Sequence, residues 1–115
     1  MLLVDDVKDI CESLKDYLVV SGHEVDIAMT AREALRLTSL AHYDAIILDI
    51  ALPDLDGYAL ARRIREHYAF RARPIMLAVS GSEFDDTHPY AADAAFDLFL
   101  VKPANPEHIK AALVR

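Results

Sequence analysis

Four places in this 115-residue sequence carry ionisable or hydroxyl groups at matching positions: Asp5-Asp6, Asp49, Ser80 and Lys102-Pro103. Each follows a short apolar run. Leu2 to Val4 precede the acidic pair, Ala45-Ile46-Ile47-Leu48 precede Asp49, Ile75-Met76-Leu77-Ala78-Val79 precede Ser80, and Leu98-Phe99-Leu100-Val101 precede Lys102. If those runs are strands ending at one edge, three carboxylates, a hydroxyl and an ammonium share a crevice. Packed carboxylates repel, and at least one stays protonated unless a cation compensates. The donor set is all oxygen, with no His or Cys at these ends, which selects Mg²⁺ or Mn²⁺ over Zn²⁺. A divalent ion, a lysine and a hydroxyl around one carboxylate suit a phosphoryl group in transfer. That carboxylate can itself be the nucleophile, forming an acyl phosphate.

Each residue also has an ordinary reading. Asp6 could be only the N-cap of a first helix, Asp49 a loop residue and Ser80 a turn former. Lys102 could be a surface lysine, the default for that residue type. Together, at consecutive strand ends, these residues point to chemistry.

The elements that must position them follow from two alternating periodicities. After the first apolar run, Ile10, Leu14, Tyr17 and Leu18 recur at helical spacing. Ser21-Gly22-His23 is a turn that ends this helix. Val25 and Ile27 alternate with polar neighbours as a half-exposed strand. Thr30 with Glu33 forms a capping box for a second helix through about Leu40. Ala45 to Leu48 is continuous, as in a strand covered on both faces. Pro53 and Gly57 punctuate a loop, and Tyr58 to about Tyr68 reads as a helix with Leu60, Ala61, Ile64 and Tyr68 inward. Pro74 opens the fourth strand, and Gly81 to His88 is an acidic loop. A weak helix spans Pro89 to Ala95, and Leu98 to Val101 is a fifth strand. Asn105 caps a final helix with Pro106 at its first position. Five strands alternating with five helices imply an α/β fold: a doubly wound parallel sheet with right-handed crossovers. Ligands in such sheets bind outside the carboxyl ends of the strands, where the four motifs lie.

Size and charge narrow the function classes. The length fits one domain, residues 1–115, and 54% hydrophobic with 27% charged residues describes a globular chain. A net charge of −7 gives no electrostatic reason to bind nucleic acid or an anionic membrane. Arg62, Arg63, Arg65, Arg71 and Arg73 read as a solvated helix face, because no aromatic residues are spaced for base stacking. No apolar run approaches the ~20 residues that span a bilayer. The opening turns acidic too soon for a signal peptide, and the single Cys11 forms no internal disulfide, so a cytoplasmic chain is expected.

The sequence resembles the response-regulator receiver family. The resemblance rests on Leu3-Val4-Asp5-Asp6, Ile47 to Gly57, Ala78-Val79-Ser80-Gly81 and Phe96 to Pro103, and it covers essentially the whole chain. It implies a flavodoxin-like strand order, 2-1-3-4-5, and a signalling phosphoacceptor rather than an enzyme acting on other substrates. Asp49 would accept a phosphoryl group from phosphohistidine. Asp6, Asp49 and the backbone carbonyl of Ala51 would bind Mg²⁺ directly, with Asp5 acting mainly through a water and Mn²⁺ as an alternative ion. Lys102 would contact the phosphoryl group and pair with Asp49 beforehand. Ser80 would hydrogen-bond a phosphoryl oxygen, and Phe99 would turn inward as the switch aromatic. The Lys102-Pro103 bond would be cis. The implied partners are a histidine kinase or histidine-phosphotransfer domain, and a second copy through helix four to helix five. The Phe96 to Pro106 segment is similar to receivers attached to hybrid histidine kinases.

Some positions depart from the family pattern. Helix four has small residues, with alanine at 92 and at 95 where a large aliphatic and a glycine are usual, so a short or mobile helix is expected. Strand one has only three residues before Asp5. Small residues at Ala51 and Ser82 leave water access to the acceptor, so self-dephosphorylation is not expected to be unusually slow. Val7 and Cys11 lie off the core stripe of helix one, as a docking patch for the donor or as a half-buried edge. No output domain is visible, which fits a single-domain regulator or a segment of a longer protein.

Three other classes compete. Asp54-Leu55-Asp56-Gly57 has the look of a haloacid-dehalogenase-type phosphatase, but that motif needs an apolar strand directly before its first Asp and Leu52-Pro53 intervenes. A nucleotide- or flavin-binding module would need a glycine-rich phosphate loop, and the chain has only three glycines. A pseudo-receiver would be expected to lack one of the five crevice residues, and none is missing.

Overall fold

The computed structural model describes residues 1–68 and 73–113. Strands and helices alternate: β1 (Leu2–Val4), α1 (Lys8–Val20), β2 (Asp26–Ala28), α2 (Ala31–Leu40), β3 (Ala45–Asp49), α3 (Gly57–His67), β4 (Ile75–Ser80), α4 (Ala91–Ala94), β5 (Leu98–Val101) and α5 (Pro106–Leu113). The strands form one parallel sheet in the order β2-β1-β3-β4-β5. Val4 pairs with Leu48, Asp49 with Val79, and Ser80 with Val101. The register therefore brings Asp5, Asp49, Ser80 and Lys102 to one edge.

The apolar runs are continuous because the sheet is covered on both faces, and the two-residue period of a strand divides them. Leu2, Val4, Ile46, Leu48 and Met76 pack with α2, α3 and α4 on one side. Leu3, Ile47, Leu77 and Val79 pack with α1 and α5 on the other.

Local signals set the helix starts. Thr30 Oγ1 accepts from the Glu33 N–H at 3.1 Å, and Asn105 Oδ1 accepts from the Glu107 N–H at 2.9 Å. Helix α3 begins one residue before the expected Tyr58, capped by Asp56, whose Oδ1 accepts from Tyr58 and Ala59. Gly57 is required there by crowding: a Cβ would lie 2.6 Å from Ile50 Cα.

Three expectations are corrected. In α1 the buried residues are Cys11 and Leu18, while Ile10 is 43% exposed. Leu14, Tyr17 and Leu18 pack inward as expected, and Cys11 takes the place of Ile10 at the start of the stripe, its thiol donating to the Asp5 carbonyl at 3.2 Å. A small side chain fits where the helix starts close to β1; the bulkier Ile10 does not. Arg65 is not on a solvated face. It is 8% exposed and donates to the carbonyls of Pro74 (3.0 Å), Ala94 (3.3 Å) and Ala95 (2.6 Å). Asp97 balances its charge, 3.5 Å away. Arg71 lies outside the described residues. Helix α4 has four residues instead of the seven from Pro89 to Ala95, because Ala95 turns left-handed (φ 49°, ψ 54°) and the Tyr90 N–H is taken by His88 Nδ1 at 3.0 Å.

Candidate functional site

The carboxyl edge of the sheet gathers the five predicted groups. Asp5 and Asp49 are buried and Asp6 is exposed, and one carboxylate oxygen from each lies within 4.8 Å of the others. Asp6 does not cap α1; the capping position is Val7 and no side chain bonds there. Asp5 Oδ1 instead accepts from the Val7 N–H at 2.9 Å, which fixes the turn out of β1. Among the described residues the Asp6 carboxylate takes no hydrogen bond and faces water.

Asp49 is held at both oxygens. Oδ1 accepts from the Ala51 N–H at 3.0 Å and Oδ2 from Lys102 Nζ at 2.9 Å. Lys102 Nζ is also 3.8 Å from Asp5 Oδ2. The Lys102 N–H donates to the Ser80 carbonyl at 2.6 Å, and the Lys102-Pro103 peptide is cis. Ser80 is buried, and its Oγ accepts from the Ser82 N–H at 3.2 Å.

The electrostatics follow from burial and crowding. Burial first, then the Asp49 and Asp6 charges, raise the Asp5 pKa above its ordinary value, against the Val7 bond and Lys102. Burial pulls the Lys102 ammonium down. Its hydrogen bond to Asp49 and the charges of Asp49, Asp5 and Asp6 together outweigh that, and its pKa is raised. One ammonium against three carboxylates leaves the crevice negative, which suits a cation and repels a free phosphate. A cavity of ≈ 620 Å³ adjoins it, lined by Asp5, Asp49 and Lys102 together with Ile10, Leu14, Pro103 and Ile109.

Phe99 is half-buried within a ring cluster that sequence reasoning missed. Phe84 and Phe96 meet it edge-on at 5.4 and 6.0 Å between centroids, and Tyr58 lies 6.4 Å away. His88 stacks on Tyr58 at 4.4 Å, and its Nε2 is 3.3 Å from Asp56 Oδ1. The signal available was Phe84 itself, a lone aromatic in an acidic loop.

The Asp54-Leu55-Asp56-Gly57 motif is spent on helix caps. Asp54 accepts from the Ala31 and Arg32 N–H groups of α2 at 2.9 and 3.0 Å, through one oxygen each. Asp56 caps α3. The motif therefore lies at two helix starts and not directly after an apolar strand.

Comparison with known proteins agrees with this fold. A protein-family model described as "Response regulator receiver domain" matches residues 1–114. The transcriptional regulatory protein SrrA of Staphylococcus aureus is 34% identical over 110 residues, which is 95% of this chain and 44% of that protein. The chain thus spans under half the length of the curated relatives it matches. A two-component response regulator from Clostridium difficile superposes with a TM-score of 0.84 at 31% identity, covering 99% of this chain and 94% of that one. A response regulator from Burkholderia pseudomallei, solved "with a phosphorylated aspartic acid, calcium ion and citrate", superposes with a TM-score of 0.84 at 28% identity, covering 97% of this chain and 64% of that one. No helix among the described residues is long and apolar enough to cross a membrane.

Proposed function

This chain belongs to the response regulator receiver domain family of two-component signalling, and on that premise we propose that Asp49 takes a phosphoryl group from a phosphohistidine with Mg²⁺ bound beside it. The observation that carries the reading is the Asp49 carboxylate between Lys102 and the Ala51 N–H. An Asp49 oxygen attacks the phosphorus, the new O–P bond forms in line, and the N–P bond breaks with its electron pair returning to the donor imidazole. The chain's own groups hold and screen the charge. Lys102 passes from Asp49 to a phosphoryl oxygen, and the Ser80 hydroxyl donates to another.

The residues fit a hard divalent ion. Three carboxylate oxygens lie within 4.8 Å, all donors are oxygen, and the outermost, Asp6, is exposed. Asp6, Asp49 and the Ala51 carbonyl would hold Mg²⁺ or Mn²⁺, with Asp5 in support through a water. The ion would neutralise charge on the transferring group. The phosphorylated aspartate and calcium ion of the Burkholderia pseudomallei protein support both parts.

Phosphorylation adds charge where Ser80 and Lys102 gain a partner, which biases the β4–α4 loop and Phe99. The face from α4 through α5 would then be read by a partner, an attached domain or a second copy. The donor is a histidine kinase or histidine-phosphotransfer domain. Val7 and Ile10, each 43% exposed beside the crevice, supply an apolar docking patch, and the buried Cys11 does not. Val7→Asp should slow transfer from a protein donor and spare acetyl phosphate; equal slowing with both removes the patch from the reading.

The deciding experiment is intact-mass analysis after acetyl phosphate and Mg²⁺. Wild type should gain one phosphoryl group and Asp49→Asn none. A gain that survives in Asp49→Asn, or never appears in wild type, overturns the proposal.

A further inference from the structure

We propose that Asp54 is a positioning residue for the metal site, fixing the loop that carries the Ala51 carbonyl by tying it to the N-terminus of α2. This rests on the metal-site reading above.

The loop runs from residue 50 to 56. Its near end is fixed, because the Ile50 N–H donates to the Val79 carbonyl at 3.1 Å and the Ala51 N–H to Asp49 Oδ1 at 3.0 Å. Its far end returns to the same place, with the Gly57 N–H donating to the Ile50 carbonyl at 2.8 Å. Between these ends Leu52 and Leu55 are half-buried against the core, while Ala51, Pro53 and Asp54 are exposed. Asp54 supplies the polar side-chain anchor that ties the loop to α2. Each carboxylate oxygen accepts one backbone N–H, from Ala31 and from Arg32, across more than twenty residues of sequence. Those bonds hold the Asp54 carboxyl below its usual range, so it stays charged.

The receiving helix is a firm support. Ala31 and Ala34 are buried against the sheet side that also holds Val4 and Leu48. Helix α2 also has a cap of its own, Thr30, which serves the Glu33 N–H. Asp54 therefore differs from Thr30 in one respect: it joins the helix to another segment. Mg²⁺ tolerates little error in ligand placement. A carbonyl three residues from an anchor is aimed by it, as groups behind metal ligands generally do.

The test compares three variants of the full chain, with Mn²⁺ as the probe. The Mn²⁺ dissociation constant is measured by electron paramagnetic resonance, and thermal melting is recorded in EDTA. Asp54→Ala should weaken Mn²⁺ binding about tenfold. Asp54→Asn, with one acceptor oxygen left, should fall between. Thr30→Ala removes a cap from the same helix, so it should lower the melting temperature and leave Mn²⁺ affinity unchanged. Wild-type affinity in Asp54→Ala overturns the inference, and so does equal weakening in Thr30→Ala, which would reduce Asp54 to a helix cap. Absence of Mn²⁺ binding by wild type would remove the metal site itself, and this inference with it. Should Asp54→Ala not fold, Asp54→Asn carries the comparison alone.

Discussion

Lys102 donates from Nζ to Asp49 Oδ2 at 2.9 Å, across 53 residues of sequence. The same nitrogen sits 3.8 Å from Asp5. One ammonium thus occupies the space between two of the three carboxylates, where it competes with any cation the crevice binds.

That competition gives two opposite effects of one substitution. Lys102→Met should bind Mg²⁺ severalfold more tightly, because a positive charge has left the crevice. It should also accept the phosphoryl group from acetyl phosphate about a hundredfold more slowly, having lost a donor to the transition state. Calorimetric titration and phosphorylation kinetics read the two arms separately. Weaker Mg²⁺ binding in the variant would contradict the charge argument.

Cys11 gives a pH dependence of stability. Burial, with the nearby Asp5, Asp6, Glu12 and Asp49 charges, pushes its thiol from an ordinary value of 9.0 up to about 11. Below the unfolded value both states keep the proton and stability is full. As pH rises from there through the folded value, the unfolded chain ionises first and stability falls, by about 2–3 kcal/mol. Urea midpoints of wild type and Cys11→Ala, compared across that window, isolate this group from other titrations. A wild-type curve parallel to the variant's would count against it.

Arg65 ties α3 to α4 and β4. Arg65→Leu should cost about 3 kcal/mol, because it strands the two buried carbonyls of Pro74 and Ala94 and removes the guanidinium beside Asp97. Arg65→Lys should recover only part of the loss, since one ammonium cannot reproduce the guanidinium fork. Denaturant unfolding measures the total. Amide exchange at Ala91 to Ala94 should speed up in Arg65→Leu more than exchange in β3, and uniform speeding would show that the tether is not local.

Ala95 holds a positive φ of 49° at the end of α4. A left-handed conformation costs a side-chain-bearing residue about 1 kcal/mol relative to glycine. Ala95→Gly should raise the melting temperature by about 4 °C. A lower melting temperature would mean that the lost Cβ contacts or the added chain entropy outweigh the relieved strain.

The sequence alone determined the doubly wound sheet and the membership of the crevice. Both rest on local regularities: apolar runs of strand length, helix signals between them, and reactive residues at the run ends. Thr30 and Asn105 act within a few residues of themselves, so their roles were legible too. Tertiary structure alone decided the rest. Arg65 looks like any exposed helix arginine until the carbonyls of Ala94 and Ala95 arrive beside it. Cys11 takes the buried place expected of Ile10 because helical spacing leaves the edge of a stripe open by one residue, and the close approach of β1 selects the smaller side chain. Asp54 meets Ala31 and Arg32 only after two crossovers have closed. Contacts between distant segments depend on how elements pack, and packing has no fixed spacing along the chain from which to read it.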